Sequence, residues 1–249
     1  MKLTLLGTSD WRIDQPVASA GYIVQHKETT LKLDFGRGNI INLAQAGINW
    51  RTIDAIIITH IHPDHISDLM AYLQSYTLSH EDGSLTKEVV IYGPKGFKDY
   101  FEQFRRVIVT VWDHIPEVKE LYDQTVTIGD LTITAAPMKH SISAIGIRIE
   151  ADGKSMCYTG DTAYNDELVQ LADHANLLLS ECYFGGRDES GGHMGAEDVA
   201  QLANTANVKQ VVLTHYPTNP IARQSRIEEV QKHTPVTVVG GNDLDVIEI

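Results

Sequence analysis

The densest chemistry in the chain is the run Thr59-His60-Ile61-His62-Pro63-Asp64-His65, with three histidines and a carboxylate inside six residues. Residues i and i+2 of an extended segment point to the same side, so His60 and His62 can share one metal ion. Pro63 keeps His62 extended, because the residue before a proline avoids the helical region. The residues that follow, Asp64 to Met70, are expected to turn helical and to swing Asp64 and His65 toward a second ion. Imidazole with carboxylate suits zinc first, and manganese or iron where more oxygen ligands join. An apolar strand precedes the cluster and a helix follows it, a frame that a polar loop with chance histidines would lack.

Such a cluster needs a rigid support. Strands are expected at 2–6, 20–26, 30–34, 54–59, 88–92, 124–127, 131–136, 144–150, 155–159, 176–181, 209–214, 235–239 and 244–248. Helices are expected at 38–46, 65–78, 95–105, 164–173, 196–206 and 220–232. This mixture points to a layered α/β architecture. No Pro/Gly/Ser-rich linker or low-complexity stretch divides the chain, so residues 1–249 read as a single domain. An internal echo links IDAIIITHIHPD (53–64) to VKQVVLTHYPTN (208–219), each an apolar strand ending in Thr-His. LKLDFG (31–36) and MCYTGD (156–161) form a weaker pair. Two similar halves meeting face to face would bring both Thr-His corners to one edge.

The HxHxDH run after a strand ending in Thr59 resembles the signature of the metallo-β-lactamase superfamily. The remaining family motifs find matches in order: Asp34 in LKLDFG, His140 in PMKHS, Asp161 in YTGDT and His215 in LTHYP. The resemblance implies a four-layer αββα sandwich, two mixed β-sheets with helices on the outer faces. It implies two divalent metal ions. His60, His62 and His140 would bind one and Asp64, His65 and His215 the other. Asp161 would bridge both, together with a water or hydroxide. Asp34 would orient a ligand histidine, and Thr59 and Thr214 are candidates for the same work.

The superfamily hosts many reactions, so the branch has to be argued from residues. Zinc β-lactamases of the commonest class carry cysteine where Asp161 stands, and flavin-linked di-iron members carry glutamate where His62 stands. Glyoxalase II-like thioesterases carry a helical C-terminal extension, for which the residues after His215 are too few. GGHMGAEDVAQLA contains His193 just before a helix and is similar to the histidine element of the ribonuclease Z branch. The opening MKLTLLGTS and the ECYF segment fit the same branch. That likeness implies that His193, with Glu181 as candidate partner, protonates the leaving oxygen of a phosphodiester. Asp64, His193 and Glu181 are therefore the expected catalytic residues. Ribonuclease Z enzymes insert a long tRNA-gripping arm between the third histidine and the bridging aspartate. Here the interval from His140 to Asp161 reads as a hairpin turning at Asp152-Gly153, with no room for an arm. The expected activity is hydrolysis of small phosphodiesters or RNA ends by a metal-bound hydroxide. The alternatives are carboxyl-ester, thioester or lactone hydrolysis at the same metals, and metal binding without turnover.

Composition sets outer bounds. The chain has 20 basic and 33 acidic residues, a formal net charge of −13, which opposes general affinity for nucleic acid. No apolar run approaches the ~18 residues of a membrane span, and no signal-peptide pattern opens the sequence. A cytoplasmic location is expected. Cys157 and Cys182 lie in apolar segments and are expected as buried thiols. The stretch VIVTVWDHI (107–115) is expected in the core or in a homodimer contact. His26, His80, His114, His174 and His233 match no motif and read as surface or structural residues. The missing arm and acidic charge yield a first prediction. Precursor tRNA should bind weakly, and filter binding should show affinity falling steeply with salt. Tight, salt-resistant binding would reveal another RNA-gripping surface, for instance around Arg105 and Arg106.

Overall fold

The computed structural model describes residues 1–108 and 114–249. Two sheets form because the strands' apolar residues demand cover. β1 (Lys2–Gly7), β2 (Gly21–His26) and β3 (Thr29–Leu33) pair antiparallel. β4 (Ala55–Ile57), β5 (Val90–Gly93) and β6 (Glu117–Glu120) extend that sheet in parallel. In the second sheet β7 (Gln124–Ile128), β8 (Leu131–Pro137), β9 (Ile145–Ala151) and β10 (Lys154–Tyr158) pair antiparallel. β11 (Leu177–Glu181), β12 (Gln210–Thr214) and β13 (Thr237–Gly240) then continue in parallel. β14 (Val246–Glu248) returns to the first sheet beside β1. β3, β4 and β11 are buried at every position, as central strands covered on both faces must be.

Helices cover the outer faces. α1 (Asn39–Gln45), α2 (Pro63–Ile66), α3 (Leu69–Glu81) and α4 (Phe97–Ile108) lie on the first sheet. α5 (Asp166–Ala172), α6 (Ala196–Thr205) and α7 (Pro220–His233) lie on the second. A third apolar cluster, including Leu3, Leu33, Ile57, Ile133, Ile147 and Leu179, fills the space between the sheets. The order is therefore αββα, as expected. Each buried Leu or Ile side chain contributes roughly 1.5–3 kcal/mol by leaving water. Among the described residues no helix is long and apolar enough to cross a membrane. Cys157 and Cys182 are free and buried.

Three features depart from expectation. The helix expected over 65–78 is two, α2 and α3, parted at Ser67 and Asp68. Asp68 is held there: its amide donates to Phe35 O and its carboxylate accepts from Ile40 N at 3.0 Å. β6 adds to the expected strands, because Glu-Val-Lys-Glu is a mostly exposed edge strand without an apolar face to announce it. Residues 109–113, within the stretch expected in the core or a dimer contact, lie outside the described residues.

The two sheets also share one plan. Read from β14 to β6 and from β7 to β13, they have the same sequence of antiparallel and parallel steps. β3 thus corresponds to β10, which makes LKLDFG and MCYTGD true equivalents. β4 corresponds to β11, and β12 to β5. The stronger sequence echo, between the strands ending at His60 and His215, joins positions that the topology does not equate.

Lys32, on β3, is fully buried. Its ammonium donates to Leu33 O at 3.1 Å, to Asn39 Oδ1 at 2.7 Å and to the Asp34 carbonyl, fixing the chain where it leaves the strand. Burial pulls its pKa down to about 7, against the opposing charges of Asp34 and Asp68. An unfolded lysine titrates near ~10.4. Between these values the unfolded chain holds the proton more tightly, so stability contributed by Lys32 rises with pH from about 7 toward 10 and is least below 7. Urea melts should show the wild type gaining on Lys32→Met by on the order of 1–3 kcal/mol between pH 6.5 and 9.5. A gain toward low pH would mean that the three acceptors outweigh burial.

Candidate metal centre

The residues singled out by motif follow strand ends, apart from those carried by α2 and His193 in a loop. Asp34 follows β3, His60 follows β4, and His62 is the N-cap of α2, with Pro63 at the helix start. Asp64 and His65 occupy the first turn of α2, which is where the extended-to-helical switch was expected. His140 follows β8, Asp161 follows β10 and His215 follows β12. Glu181 ends β11, and His193 lies in the loop before α6. His60, His65, Asp161 and His215 are buried. Gly160, at φ +57°, lets the halves approach: a Cβ there would stand 3.2 Å from Thr59 Cβ, in the other half.

The donors form two groups. His60 Nε2 and His140 Nε2 lie 3.1 and 3.2 Å from His62 Nδ1. On the other side, His215 Nε2 lies 3.2 Å from Asp64 Oδ2, and His65 Nε2 lies 3.8 Å from the same oxygen. Asp161 stands between them, 3.6 Å from His60, 3.4 Å from His65 and 3.3 Å from His215. Contacts behind the rings decide which nitrogen faces inward. His140 Nδ1 donates to Gly192 O at 2.7 Å, and His65 Nδ1 to Asp34 Oδ2 at 2.8 Å. In the neutral rings both Nε2 atoms would therefore carry the inward lone pairs.

The donor set fits divalent metal binding. Ligand nitrogens around a tetrahedral zinc stand roughly 3.3 Å apart, given bonds of ~2.0–2.1 Å. The histidine separations on the His62 side match that spacing. His65 Nε2 and Asp161 Oδ1 are buried and have no hydrogen-bond partner, an arrangement that costs stability unless something charged sits between them. Burial and His65 push His60 well below the usual range, as suits a neutral ligand. Burial pushes Asp161 up, but His215, His65 and His60 outweigh it and hold the carboxyl well below its usual range. His215 rises to about 9: burial opposes this, and Asp161 and Asp64 prevail. The carboxylates thus draw protons onto buried imidazoles. Divalent cations between the same atoms would displace those protons and supply the positive charge.

His193 stands beside this group. Its Nδ1 is 3.1 Å from Glu181 Oε2 and 3.9 Å from Asp161 Oδ2. Tyr183 stacks on the ring at 4.6 Å, and Asp188 accepts from the His193 amide at 3.0 Å. Burial pushes Glu181 up to about 7. His193 is raised too, since the Glu181 bond and charge overcome the opposing effect of burial. Both groups therefore hold protons more strongly than they would apart from this site.

Residues 40–216 match the family model described as a β-lactamase superfamily domain. The chain belongs to the metallo-β-lactamase superfamily. Within it the chain is a metal-dependent hydrolase, and ribonuclease Z enzymes are among the proteins it is similar to. It is 27% identical over 219 residues to the probable metallo-hydrolase YhfI of Bacillus subtilis, with 87% of each chain covered. The crystal structure of YhfI superposes with a TM-score of 0.85 at 25% identity, covering 99% of both chains. A ribonuclease Z from Methanothermobacter thermautotrophicus is 26% identical, with 100% of this chain and 97% of that one covered. That alignment runs 302 positions against a chain of 249, so the relative carries residues that this one lacks. A diphosphatase of the PhnP family shares the fold, with a TM-score of 0.80 at 16% identity and coverage of 100% and 97%.

The superfamily resemblance leads to the inward-facing residues and to Asp34 and Thr59 behind them, but not to Tyr158. Asp34 accepts from Thr59 N at 2.7 Å, Thr59 Oγ1 at 2.9 Å and Tyr158 Oη at 2.7 Å, besides His65. Thr59 also lies 3.2 Å from His60 Nδ1. Thr214 instead bonds Tyr22 at 2.7 Å and touches no ligand histidine. Tyr158 carries no sequence signal beyond its place before the Thr-Gly-Asp turn. Tyr158→Phe should leave the fold intact and weaken metal retention about 10-fold, the usual size of an outer contact. Chelator competition with elemental analysis reads the effect. Unchanged retention would reduce Tyr158 to a packing residue.

Proposed function

We propose that the chain is a dinuclear phosphodiesterase acting on small phosphodiesters. The observation that carries this reading is the His193–Glu181 pair, 3.1 Å apart and beside Asp161. His60, His62 and His140 would hold one cation, Asp64, His65 and His215 the other, and Asp161 both. Zinc suits these donors first, manganese or iron next. Two divalent cations held there supply Lewis acidity to a phosphoryl oxygen and make water acidic enough to attack at neutral pH.

The chain's own residues complete the reaction. Glu181 keeps a proton on His193 and fixes Nδ1, which leaves Nε2 to donate to the departing alkoxide. The Tyr183 stack and the Asp188 bond hold the ring in place. Asp64 faces the same space and would accept a hydrogen bond from the attacking water. Small substrates are favoured because the chain from His140 to Asp161 holds only the short β9–β10 hairpin. Two of the relatives, a ribonuclease Z and a diphosphatase, are named for phosphoryl chemistry, which favours phosphorus over an ester carbonyl.

Two measurements test the reading. Elemental analysis of protein purified without chelator should find the metal centre filled, and thorough demetallation should abolish turnover of bis-p-nitrophenyl phosphate. Full activity without metal would sink the idea. His193→Ala should leave the centre's metal content unchanged and slow alkyl or nucleoside esters by roughly 10²–10⁴-fold, while p-nitrophenyl esters suffer least. Equal slowing of good and poor leaving groups would remove His193 as the acid. No effect on phosphodiesters, with turnover of lactones or thioesters, would move the reaction to carbon.

A further inference from the structure

A second set of nitrogen and oxygen donors stands apart from the centre. His80 closes α3, Glu88 precedes β5 and His114 precedes β6. By helix rise, His80 lies about 16 Å along α3 from the end nearest His65. One ligand atom from each of the three residues lies within 4.8 Å of the others.

Their placement is more ordered than chance surface contact requires. The His80 and His114 rings stack at 4.0 Å, with planes 14° apart. Imidazole lone pairs lie in the ring plane, so one ring would turn out of this stack to share an ion with the other. Glu88 Oε1 is 3.1 Å from His114 Nε2, near the spacing of roughly 3.3 Å between zinc ligands. Its other oxygen accepts from Tyr76 Oη at 2.7 Å, the kind of outer bond that aims a ligand carboxylate. Thr77 Oγ1 donates to His114 O at 2.6 Å and pins that backbone. His80 gives up little by turning inward, since its contact with Lys87 O is 3.3 Å long. Glu88 and His114 remain partly open to solvent, so an ion can enter and water can complete its shell.

We infer that His80, Glu88 and His114 form an outer structural site for a divalent cation of the zinc class. Its physical purpose follows from the fold. β6 is a mostly exposed edge strand in which Val118 alone packs on the apolar cluster. A cation on these ligands would staple its lead-in to α3 and to the lead-in of β5, with cross-links that apolar burial does not supply.

The test counts zinc on the intact protein at fixed free zinc, for wild type, His80→Ala, His114→Ala and Glu88→Gln. The wild type should hold one equivalent more than either histidine variant. Glu88→Gln, which preserves packing, should bind that equivalent about 10-fold more weakly. Raising free zinc to a hundredfold excess over the dissociation constant should raise the wild-type melting temperature, and that rise should exceed the rise in His80→Ala or His114→Ala by about 5 °C or more. Phosphodiester turnover should be unchanged in all three substituted proteins, because none of these residues belongs to the metal centre. Because the readout is a difference between proteins, it holds whether the centre carries one cation or two. Equal zinc counts in the wild type and all three substituted proteins, up to millimolar free zinc, overturn the inference and leave a hydrogen-bonded clasp.

Discussion

The centre depends on one buried carboxylate. Asp34 leaves β3 at φ +48°, a left-handed conformation that a non-glycine residue holds only at a cost on the order of 1–3 kcal/mol. Four donors offset it: Thr59 N, Thr59 Oγ1, Tyr158 Oη and His65 Nδ1. These donors come from the end of β4, from β10 and from α2, so one side chain ties both sheets and the short helix together. A buried charge without such partners would be expelled or protonated. Held as it is, Asp34 sets the tautomer and tilt of His65, and through Thr59 it anchors the chain that presents His60.

The shared plan of the two sheets explains why the centre lies at one rim. β3 and β10 are equivalent, and each is followed by an aspartate, Asp34 in one half and Asp161 in the other. The halves differ in use. Asp34 turns away to brace a ring, while Asp161 faces inward between two groups of histidines. β4 delivers His60, and its counterpart β11 delivers Glu181, the partner of His193. One half thus contributes most donors of the centre and the other contributes the proton-handling pair. His215, also at positive φ (+44°), reaches the rim from β12, whose counterpart β5 contributes nothing to the site.

Legibility followed locality. His60 to His65 could be read directly, because strand, proline and helix start are all encoded within a few residues. His140, Asp161, His193 and His215 are single residues in ordinary turns, and only their order and the family resemblance made them visible. Of the supports, the resemblance named Asp34 and Thr59, and the others were not visible. Tyr158 reaches Asp34 across 124 positions, and nothing in its neighbourhood marks it. Lys32 sits in a strand where a lysine suggests an exposed face, yet it is buried against carbonyls. The break between α2 and α3 depends on Asp68 binding the turn after β3, a tertiary bond that helical periodicity does not reveal. His80 and His114 read as scattered surface residues, because three chain segments must fold before they stack.

Charge gives a reason for phosphorus that is independent of resemblance. Asp34, Asp64 and Asp161 contribute three negative charges to the centre, with Asp161 held ionised by its histidine neighbours. Glu181 and His193 share a proton and add little net charge. Against that background, two divalent cations on the proposed ligands would leave a net charge close to plus one with water bound, and close to zero once that water is hydroxide. A singly charged phosphodiester would neutralise the water-bound form. A long polyanion would bring far more charge than the centre can absorb, onto a protein whose formal charge is already −13. A low-dielectric setting makes that difference count for more than it would in water. On the proposed reading the centre would take one phosphoryl group at a time, held where His193 could hand its proton to the departing alkoxide.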